Sequence, residues 1–353
     1  MNLRTFLCAL VVLSVALQAT AINTRFSIDA AAINRIVIFG DDYSDMYNVY
    51  NMTRLSPLVF PNPIDFDGFE GPVCNGPLWW KYMLDEFINK YNDLSYTTDV
   101  LNFAYIFANI NSTARPAAAT PPFSTTPVYG IVQQVGLYFQ RLAQDNAAGA
   151  APVPNTLHII FGGLNDLLHP SDPANPTAEF GTFITELLTV GLQILGNPLV
   201  GADSQVLYVS LPSQASSPSI SAALGANASS LDLAIGAFNG NLYQTILNYK
   251  NNPTFGGAFR NLEWVDITAE WARMAAKPAQ YGMGLEGGPH NDPVGVCANI
   301  DISAPSSAHC PDVDEFYWWN QFWTSAVAHR WLGKRIFLEA FKQGQEEFET
   351  SYY

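Results

Sequence analysis

The sequence has little charge, and positive charge is the scarcer of the two signs. Only 13% of its 353 residues are charged, with 16 Lys and Arg against 31 Asp and Glu, so the formal net charge is −15. A chain this acidic offers no basic surface that could neutralise phosphates or anionic lipid headgroups. The composition therefore argues against nucleic acid or a membrane surface as a partner.

Long apolar runs are also missing after the first residues. A membrane-spanning helix needs about 20 apolar residues, and the only long apolar run, residues 6–17, is shorter than that. It follows the single charge of Arg4 and precedes Ala19-Thr20-Ala21, which is typical of a secretory signal peptide. We therefore expect residues 1–21 to be removed and residues 22–353 to form one extracellular domain without a membrane span.

Cysteine is rare, and after removal of the signal only three would remain, so at least one lacks a partner within the chain. Cys297 and Cys310 flank a segment rich in Ser, Ala and Pro with little core of its own, so we expect them to form the disulfide bond. Cys74 is then expected to be a small buried apolar residue. Secretion by a eukaryote would also make three Asn-x-Ser/Thr sites candidates for glycosylation. These are Asn51, Asn111 and Asn227.

What the sequence does contain is an alternation of short β-branched runs and amphipathic helices. Trp79, Met83 and Phe87, for example, fall on one helical face. Alternation of this kind predicts an α/β fold whose five-stranded parallel sheet is covered on both faces, with the site at the carboxyl ends of the strands. The predicted strands are residues 35–39, 100–104, 157–161, 205–211 and 262–267. The predicted surface loops are residues 112–130, 145–155 and 282–314.

The end of the first predicted strand carries a polar motif. Residues 36–39 lead into Gly40-Asp41-Asp42-Tyr43-Ser44-Asp45, with Asn48 soon after. A glycine followed by short polar residues is how a strand-to-helix elbow presents side chains at a sheet edge. Here the chain resembles the SGNH hydrolases, or GDSL-type lipases and esterases, of plant or fungal type, whose first block is Gly-Asp-Ser-Leu-Ser-Asp. The resemblance implies a three-layer α/β/α fold of flavodoxin type and a Ser-His-Asp ester hydrolase site.

The resemblance extends over most of the chain from residue 36 to residue 330. Residues 102–108 are similar to the family's Asn-x-Ala-x-Gly-Gly-Ala, and residues 163–166 match Gly-x-Asn-Asp without change. Residues 314–330 align without a gap on the last block, Asp-Glu-Tyr-Leu-Phe-Trp-Asp-x-x-His-Pro-Thr-x-x-x-His-Arg. Residues 71–79 and 278–282 resemble further family segments. The order of these blocks supports the fold more strongly than any single block.

The departures from the family pattern fall on the reacting groups. The resemblance places Asp42 at the nucleophile position, Asn320 at the position of the orienting carboxylate and Trp323 at the position of the imidazole. Of the oxyanion donors, Asn165 is kept, whereas the glycine of the second block is replaced by Ile106 or Phe107. Loss of one triad member already costs an ester or amide hydrolase several orders of magnitude in rate, so loss of all three predicts a pseudoenzyme. The remaining motif residues are expected to be structural, and they are Gly40, Asp41, Ser44, Asp45, Asn48 and Asp166.

Other residues could in principle supply the missing chemistry. Ser44 is expected to be a helix N-cap, Asp42 could attack an ester as a carboxylate, and clustered carboxylates suit Ca²⁺. The possible cation ligands are Asp41, Asp42, Asp45 and Asp166. Among the histidines outside the triad position, the spacing of His158 and His169 indicates no metal site. His329 is expected to be a structural residue on a helix face. His290 and His309 lie in the loop that carries the cysteines and could reach the sheet edge from there. We expect neither a metal nor a cofactor, and we expect adjacent Asp41 and Asp42 to raise the pKa of at least one of the two carboxyls.

The sequence thus predicts a secreted, catalytically inactive GDSL/SGNH-like pseudoenzyme that keeps a binding cleft. Its ligand would be an acylated glycan, a lipid or another secreted protein. One alternative is a divergent carboxylic-ester hydrolase with a non-standard site around Asp42. The other is an interaction protein whose cleft is filled by Phe107 and Trp323.

Overall fold

The computed structural model describes most of the chain between residues 33 and 341. The described residues are 33–45, 48, 76–91, 99–115, 128–170, 175, 177–225, 228–254, 256–283, 296–298, 316–320 and 323–341. Several predictions lie outside these residues, namely those for the signal peptide, Cys74, Cys310, Asn51, Asn227, His290 and His309. No described helix is long and apolar enough to cross a membrane.

Five parallel strands form the central sheet in the order β2-β1-β3-β4-β5. They are β1 (Arg35–Gly40), β2 (Asp99–Asn102), β3 (Thr156–Phe161), β4 (Gln205–Val209) and β5 (Leu262–Val265). The three central strands are buried over nearly their whole length, as expected for a parallel sheet covered on both faces. The fold class is therefore the predicted α/β type, with the strands at the predicted places.

Helices connect the strands and cover both faces of the sheet. They are α1 (Trp79–Tyr91), α2 (Ile131–Ala147), α3 (Leu164–Leu168), α4 (Phe180–Gly196), α5 (Pro218–Leu224), α6 (Ala228–Lys250), α7 (Gly256–Phe259), α8 (Thr268–Ala276) and α9 (Ala326–Phe341). The side chains of Trp79, Met83 and Phe87 on α1 are buried, which confirms the predicted helical face. A 3₁₀ helix, Pro278–Tyr281, follows α8.

The two faces of the sheet can be assigned from strand side chains. On β3, His158 points to α2, where its ring accepts or donates a hydrogen bond of 3.0 Å with the Tyr138 hydroxyl. Phe161 lies three residues further along the same strand, so its side chain points to the other face, where it packs edge-to-face against Trp79 of α1. On β4, the Tyr208 hydroxyl donates to the Leu187 carbonyl of α4 at 2.8 Å. Helices α2 and α4 therefore cover one face, and α1, with α9 packed on it, covers the other.

The structure corrects several predicted boundaries. Strands β2, β4 and β5 end two residues earlier than predicted, and α2 continues to Ala147 into the predicted loop 145–155. The predicted loop 282–314 contains a short strand, β6 (Val296–Ala298), which pairs in parallel with β7 (Trp318–Asn320). Three-residue strands are too short to show a period in sequence. The aromatic segment that leads into β7 belongs to the core, since Phe316, Tyr317 and Trp318 are buried.

Candidate functional site

The candidate site begins where β1 ends at the carboxyl edge of the sheet. A Cβ on Gly40 would lie 2.1 Å from the Phe161 carbonyl oxygen of β3, so only glycine permits this close strand approach. The buried Gln134 amide donates to the Gly40 carbonyl and accepts from the Gly40 N–H, both at 2.9 Å. These contacts fix the direction in which the next residues leave the sheet.

The carboxylate of Asp42 lies at the centre of the site and accepts three hydrogen bonds from distant parts of the chain. Its Oδ2 accepts from the Phe107 backbone N–H at 3.0 Å and from Asn165 Nδ2 at 2.9 Å. Its Oδ1 accepts from Trp323 Nε1 at 3.3 Å. The structure thus brings together Asp42, Asn165, Trp323 and one of the two candidate residues of the second block.

In the loop after β2, the backbone N–H that faces Asp42 is that of Phe107 and not that of Ile106. Phe107 donates to Asp42, whereas the neighbouring Ile106 N–H donates to Asp45 Oδ2 at 2.9 Å. Phe107 has φ +62°, a left-handed conformation that is unfavourable for a residue with a Cβ. The backbone therefore keeps a conformation suited to glycine although an aromatic side chain occupies the position.

Helix α3 presents Asn165 to the site. It begins after Gly163, whose φ of +112° allows the sharp turn out of β3. The Asn165 amide donates to the Ala108 carbonyl at 2.9 Å as well as to Asp42, so both of its N–H donors are used. Asp166, the next residue, accepts from the Ile110 N–H at 2.8 Å and thereby holds the same loop.

The third donor, Trp323, lies between β7 and α9. A bridge joins Trp318 and Thr324, and the Ser325 N–H donates to the Tyr317 carbonyl at 2.9 Å. These contacts position Trp323, which is only 8% exposed, with its ring centroid 6.4 Å from that of Phe107. Asn320 forms the end of β7, three residues before Trp323, and its backbone alone is described.

The electrostatics of the elbow follow the prediction. Burial raises the pKa of Asp42, whereas the hydrogen bonds from Asn165, Phe107 and Trp323 lower it. Burial raises the pKa of Asp41 well above its usual range, and the charge of Asp42 raises it further. Backbone N–H groups at Tyr43, Gly163 and Leu164 oppose this rise, although none completes a well-aligned hydrogen bond to Asp41. Desolvation is thus the largest cause for both carboxyls, and the charge of the neighbouring carboxylate adds to the rise in pKa at Asp41.

The other motif residues hold the elbow. Asp45 accepts from the Asn48 N–H at 2.7 Å as well as from Ile106, and Asn48 Nδ2 donates to the Ala104 carbonyl at 2.8 Å. The buried Ser44 hydroxyl accepts from Trp79 Nε1 at 3.1 Å, a contact between the elbow and α1 in place of the predicted N-cap. Each of these groups is engaged in a structural contact.

The described histidines do not supply a base for Asp42. His158 bonds through both ring nitrogens, to Tyr138 and to the Gln205 carbonyl, and burial lowers its pKa to about 4. Burial lowers the pKa of His329 to about 3, so it is a neutral core residue. Burial also lowers the pKa of His169, and the charge of Asp42 opposes this effect. Among the described residues, no hydrogen bond joins His169 to Asp42.

Sequence reasoning missed the ion-pair network behind the site. Arg115 bonds to Glu186 at 2.7 Å, lies 3.3 Å from Glu179 and 3.4 Å from Asp166, and stacks on Phe183 at 4.0 Å. Burial raises the pKa of Asp166 to about 7, although Arg115 and the Ile110 N–H lower it. Glu186 also accepts a 2.8 Å bond from Asn111 Nδ2, the atom that a glycan at this predicted site would modify. No motif marks Arg115, since its partners are far apart in sequence.

The acidic residues of the elbow do not converge on a cation. Asp42, Asp45 and Asp166 each bind different N–H donors, and no group of three acidic, His or Cys side chains in the described part of the chain could hold a metal ion. A cavity of about 60 Å³ lies near the amino ends of the strands, next to Arg35, Val153 and Leu199. It is separate from the Asp42 site.

Comparison with known proteins adds three findings. A sequence model of the family described as GDSL-like Lipase/Acylhydrolase matches residues 36–336. Among solved structures, the chain is similar to a member of the lipolytic protein G-D-S-L family from Veillonella parvula, with 11% identity, a TM-score of 0.38, and coverage of 88% of this chain and 99% of that chain. No curated protein matches the chain.

Proposed function

The chain belongs to the GDSL-like lipase/acylhydrolase family, and we propose that it is a secreted pseudoenzyme of this family that binds its partner without hydrolysing it. In this proposal Asp42, Asn320 and Trp323 replace the nucleophile, the orienting carboxylate and the imidazole. The partner is a small acylated molecule, a glycan or another secreted protein.

The observation that carries the proposal is the position of the Asp42 carboxylate. An acyl hydrolase needs N–H donors that stabilise the negative oxygen formed on the substrate. Phe107 N–H and Asn165 Nδ2, which would serve that purpose, both donate to Asp42 Oδ2. An ester oxygen would have to displace a carboxylate from these donors, so the transition state loses its main source of stabilisation.

Within the described part of the chain, the groups that bond to the Asp42 carboxylate are all donors. Trp323 presents its indole N–H to Asp42, and an indole N–H is a donor only. A serine at position 42 would therefore meet a donor in Trp323, and none of the described histidines is hydrogen-bonded to this position. The donor character of Trp323 argues against the divergent hydrolase. The three hydrogen bonds accepted by Asp42 Oδ1 and Oδ2 argue against it as well, because they weaken the carboxylate as a nucleophile.

A second candidate, the interaction protein with a filled cleft, is favoured by the aromatic contact above the site. The rings of Phe107 and Trp323, the residues whose N–H groups donate to Asp42, lie 6.4 Å apart. Under this alternative the partner binds the outer surface and nothing enters the site.

An esterase assay on the mature chain tests the proposal. We expect the protein from residue 22 onward to hydrolyse short-chain nitrophenyl esters no faster than its heat-denatured form. Asp42→Ser should remain inactive, because Trp323 cannot accept the serine proton. Turnover by the unmodified protein that disappears in Asp42→Ala would refute the pseudoenzyme and support the divergent hydrolase.

A binding screen separates the two non-catalytic candidates. Acylated sugars and fatty acyl ligands should quench or shift tryptophan fluorescence in the unmodified protein, and Trp323→Phe should reduce this change if the cleft binds them. A protein that responds to none of them, yet is recovered in a complex with a defined secreted partner, would support the filled-cleft alternative.

A further inference from the structure

Three residues around Asp42 contribute hydrogen-bond donors to its carboxylate. The Phe107 N–H, both Asn165 amide hydrogens and the Trp323 indole N–H are donors, and the structure directs one hydrogen bond from each residue at the same carboxylate. In an ester hydrolase the third position would carry an acceptor. Here the replacement by tryptophan completes the ring of donors.

These donors are held by contacts that do not involve Asp42. The second Asn165 N–H donates to the Ala108 carbonyl, and Asp166 holds the Ile110 N–H of the same loop. Trp323 is positioned by the bridge from Trp318 to Thr324 and by the Ser325 bond to Tyr317. The three donor groups should therefore stay in place when the Asp42 side chain is absent.

We propose that Phe107, Asn165 and Trp323 form an anion site that Asp42 fills as an internal ligand, and that this site takes a small free carboxylate once the Asp42 side chain is removed. The internal carboxylate is tethered to the elbow, so its local concentration far exceeds that of any free acid. In the unmodified protein the site consequently rejects carboxylates, including the acids that an ester hydrolysis would release.

Charge and size define the ligand. A neutral ester carbonyl accepts fewer and weaker hydrogen bonds than an anion, since bonds to an ionised acceptor are about twice as strong. A cation is excluded because three N–H dipoles converge on the site. The space vacated by Asp42 is that of a carboxymethyl group, and formate or acetate fits this description.

This inference rests on the proposed function, because it treats Asp42 as a carboxylate that occupies the donor groups and not as a nucleophile. Its test uses Asp42→Gly and Asp42→Ala with sodium formate as the probe, and sodium chloride at equal ionic strength as the control. At formate about tenfold above the dissociation constant, we expect the unfolding equilibrium constant of either variant to fall about tenfold. The unmodified protein should respond equally to formate and chloride.

Two control experiments test whether the formate response comes from the proposed anion site. Adding Asn165→Ala to Asp42→Gly removes one donor and should abolish the formate response, and methylammonium chloride should stabilise neither variant. If the single variants do not fold in buffer, recovery of folded protein on refolding with formate, and not with chloride, is the supporting result.

Equal responses of the Asp42 variants to formate and chloride, or stabilisation of these variants by methylammonium, would overturn the inference. Ester hydrolysis by the unmodified protein would instead overturn the proposed function. Unfolding of the Asp42 variants with formate thus tests the inference, whereas the esterase assay of the unmodified protein tests the proposed function.

Discussion

Phe107 keeps a backbone conformation that costs free energy. Its φ of +62° directs the N–H to Asp42, and left-handed backbone is unfavourable for a residue with a Cβ by about 1 kcal/mol. Such strain persists where surrounding contacts impose it. Here these contacts are the Ile106 N–H bond to Asp45 and the Ile110 N–H bond to Asp166, which hold the loop on either side of Phe107 independently of Asp42.

Replacement of Phe107 by two small residues measures this strain. Phe107→Gly and Phe107→Ala both remove the ring and its contact with Trp323, but only glycine adopts positive φ without a steric penalty. We expect Phe107→Gly to be more stable than Phe107→Ala by about 1 kcal/mol in urea unfolding, the reverse of the usual preference for alanine. Equal stability, or a more stable alanine variant, would show that the loop relaxes and that the strain is absent.

At this scale the sequence predicts most of the site. The strand-elbow motif and the ordered blocks identify Asp42, Asn165 and Trp323, and the structure brings all three together. The choice between Ile106 and Phe107 requires a backbone angle, which neither residue type reveals. The hydrogen bond from Trp323 to Asp42 also depends on side-chain direction and had no signal in the sequence.

Among the secondary elements, the loop that follows β2 is held mainly by α3 and α4. Arg115 at its end contacts Asp166 on α3, Glu186 on α4, and Glu179 just before α4. The Asp166 carboxylate is fully buried, so the guanidinium compensates a charge that water cannot reach. The same loop carries Phe107, and the network thereby positions the donor to Asp42.

Arg115→Gln should destabilise the protein by about 3 kcal/mol at pH 8 and by less at pH 5. The folded-state pKa of Asp166, about 7, is above its ordinary value of about 4, so the protein loses stability as the pH rises from about 4 to about 7 and loses no more above that range. Removal of the cation raises this pKa further and increases the cost at pH 8. Chemical unfolding at both pH values measures the difference.

The matched control is Arg141→Gln. Arg141 pairs with Asp145 one turn away on α2, but its side chain is 55% exposed, and such pairs contribute about 0.5 kcal/mol or less. A loss for Arg115→Gln that is as small as the control, or that is larger at pH 5 than at pH 8, would contradict the role given to Arg115.

On the scale of the whole molecule, the parallel five-stranded sheet could be predicted because buried strands appear as continuous apolar runs. The strand order β2-β1-β3-β4-β5 agrees with the flavodoxin-type fold that the family resemblance implies. The pairing of β6 with β7 could not be predicted, because it depends on contacts between segments far apart in sequence. The site therefore follows from the sequence as a set of residues near one sheet edge. Its closure by Trp323 depends on how the segment before α9 packs.

The predicted disulfide bond concerns the same region. The backbone of Cys297 lies in β6, which pairs with β7, and Cys310 lies outside the described residues. A bridge between them would close a short loop and contribute about 3 kcal/mol in the chain-entropy treatment, so Cys297→Ala should lower the melting temperature. Peptide mapping under non-reducing conditions identifies the pair, and a bridge from Cys74 to either residue would contradict the assignment.

The hydrogen bond between Trp323 and Asp42 joins residues 281 positions apart, and this separation affects the order in which the protein is made. During synthesis Asp42 emerges early, and its partners follow as β2, α3 and lastly residue 323 leave the ribosome. Contacts of such long range form late in folding because a long loop must first be closed. Until then Asp42 is a hydrated carboxylate, and the nascent chain carries the site open to water. The site is therefore closed only in a chain that has been completed nearly to its end.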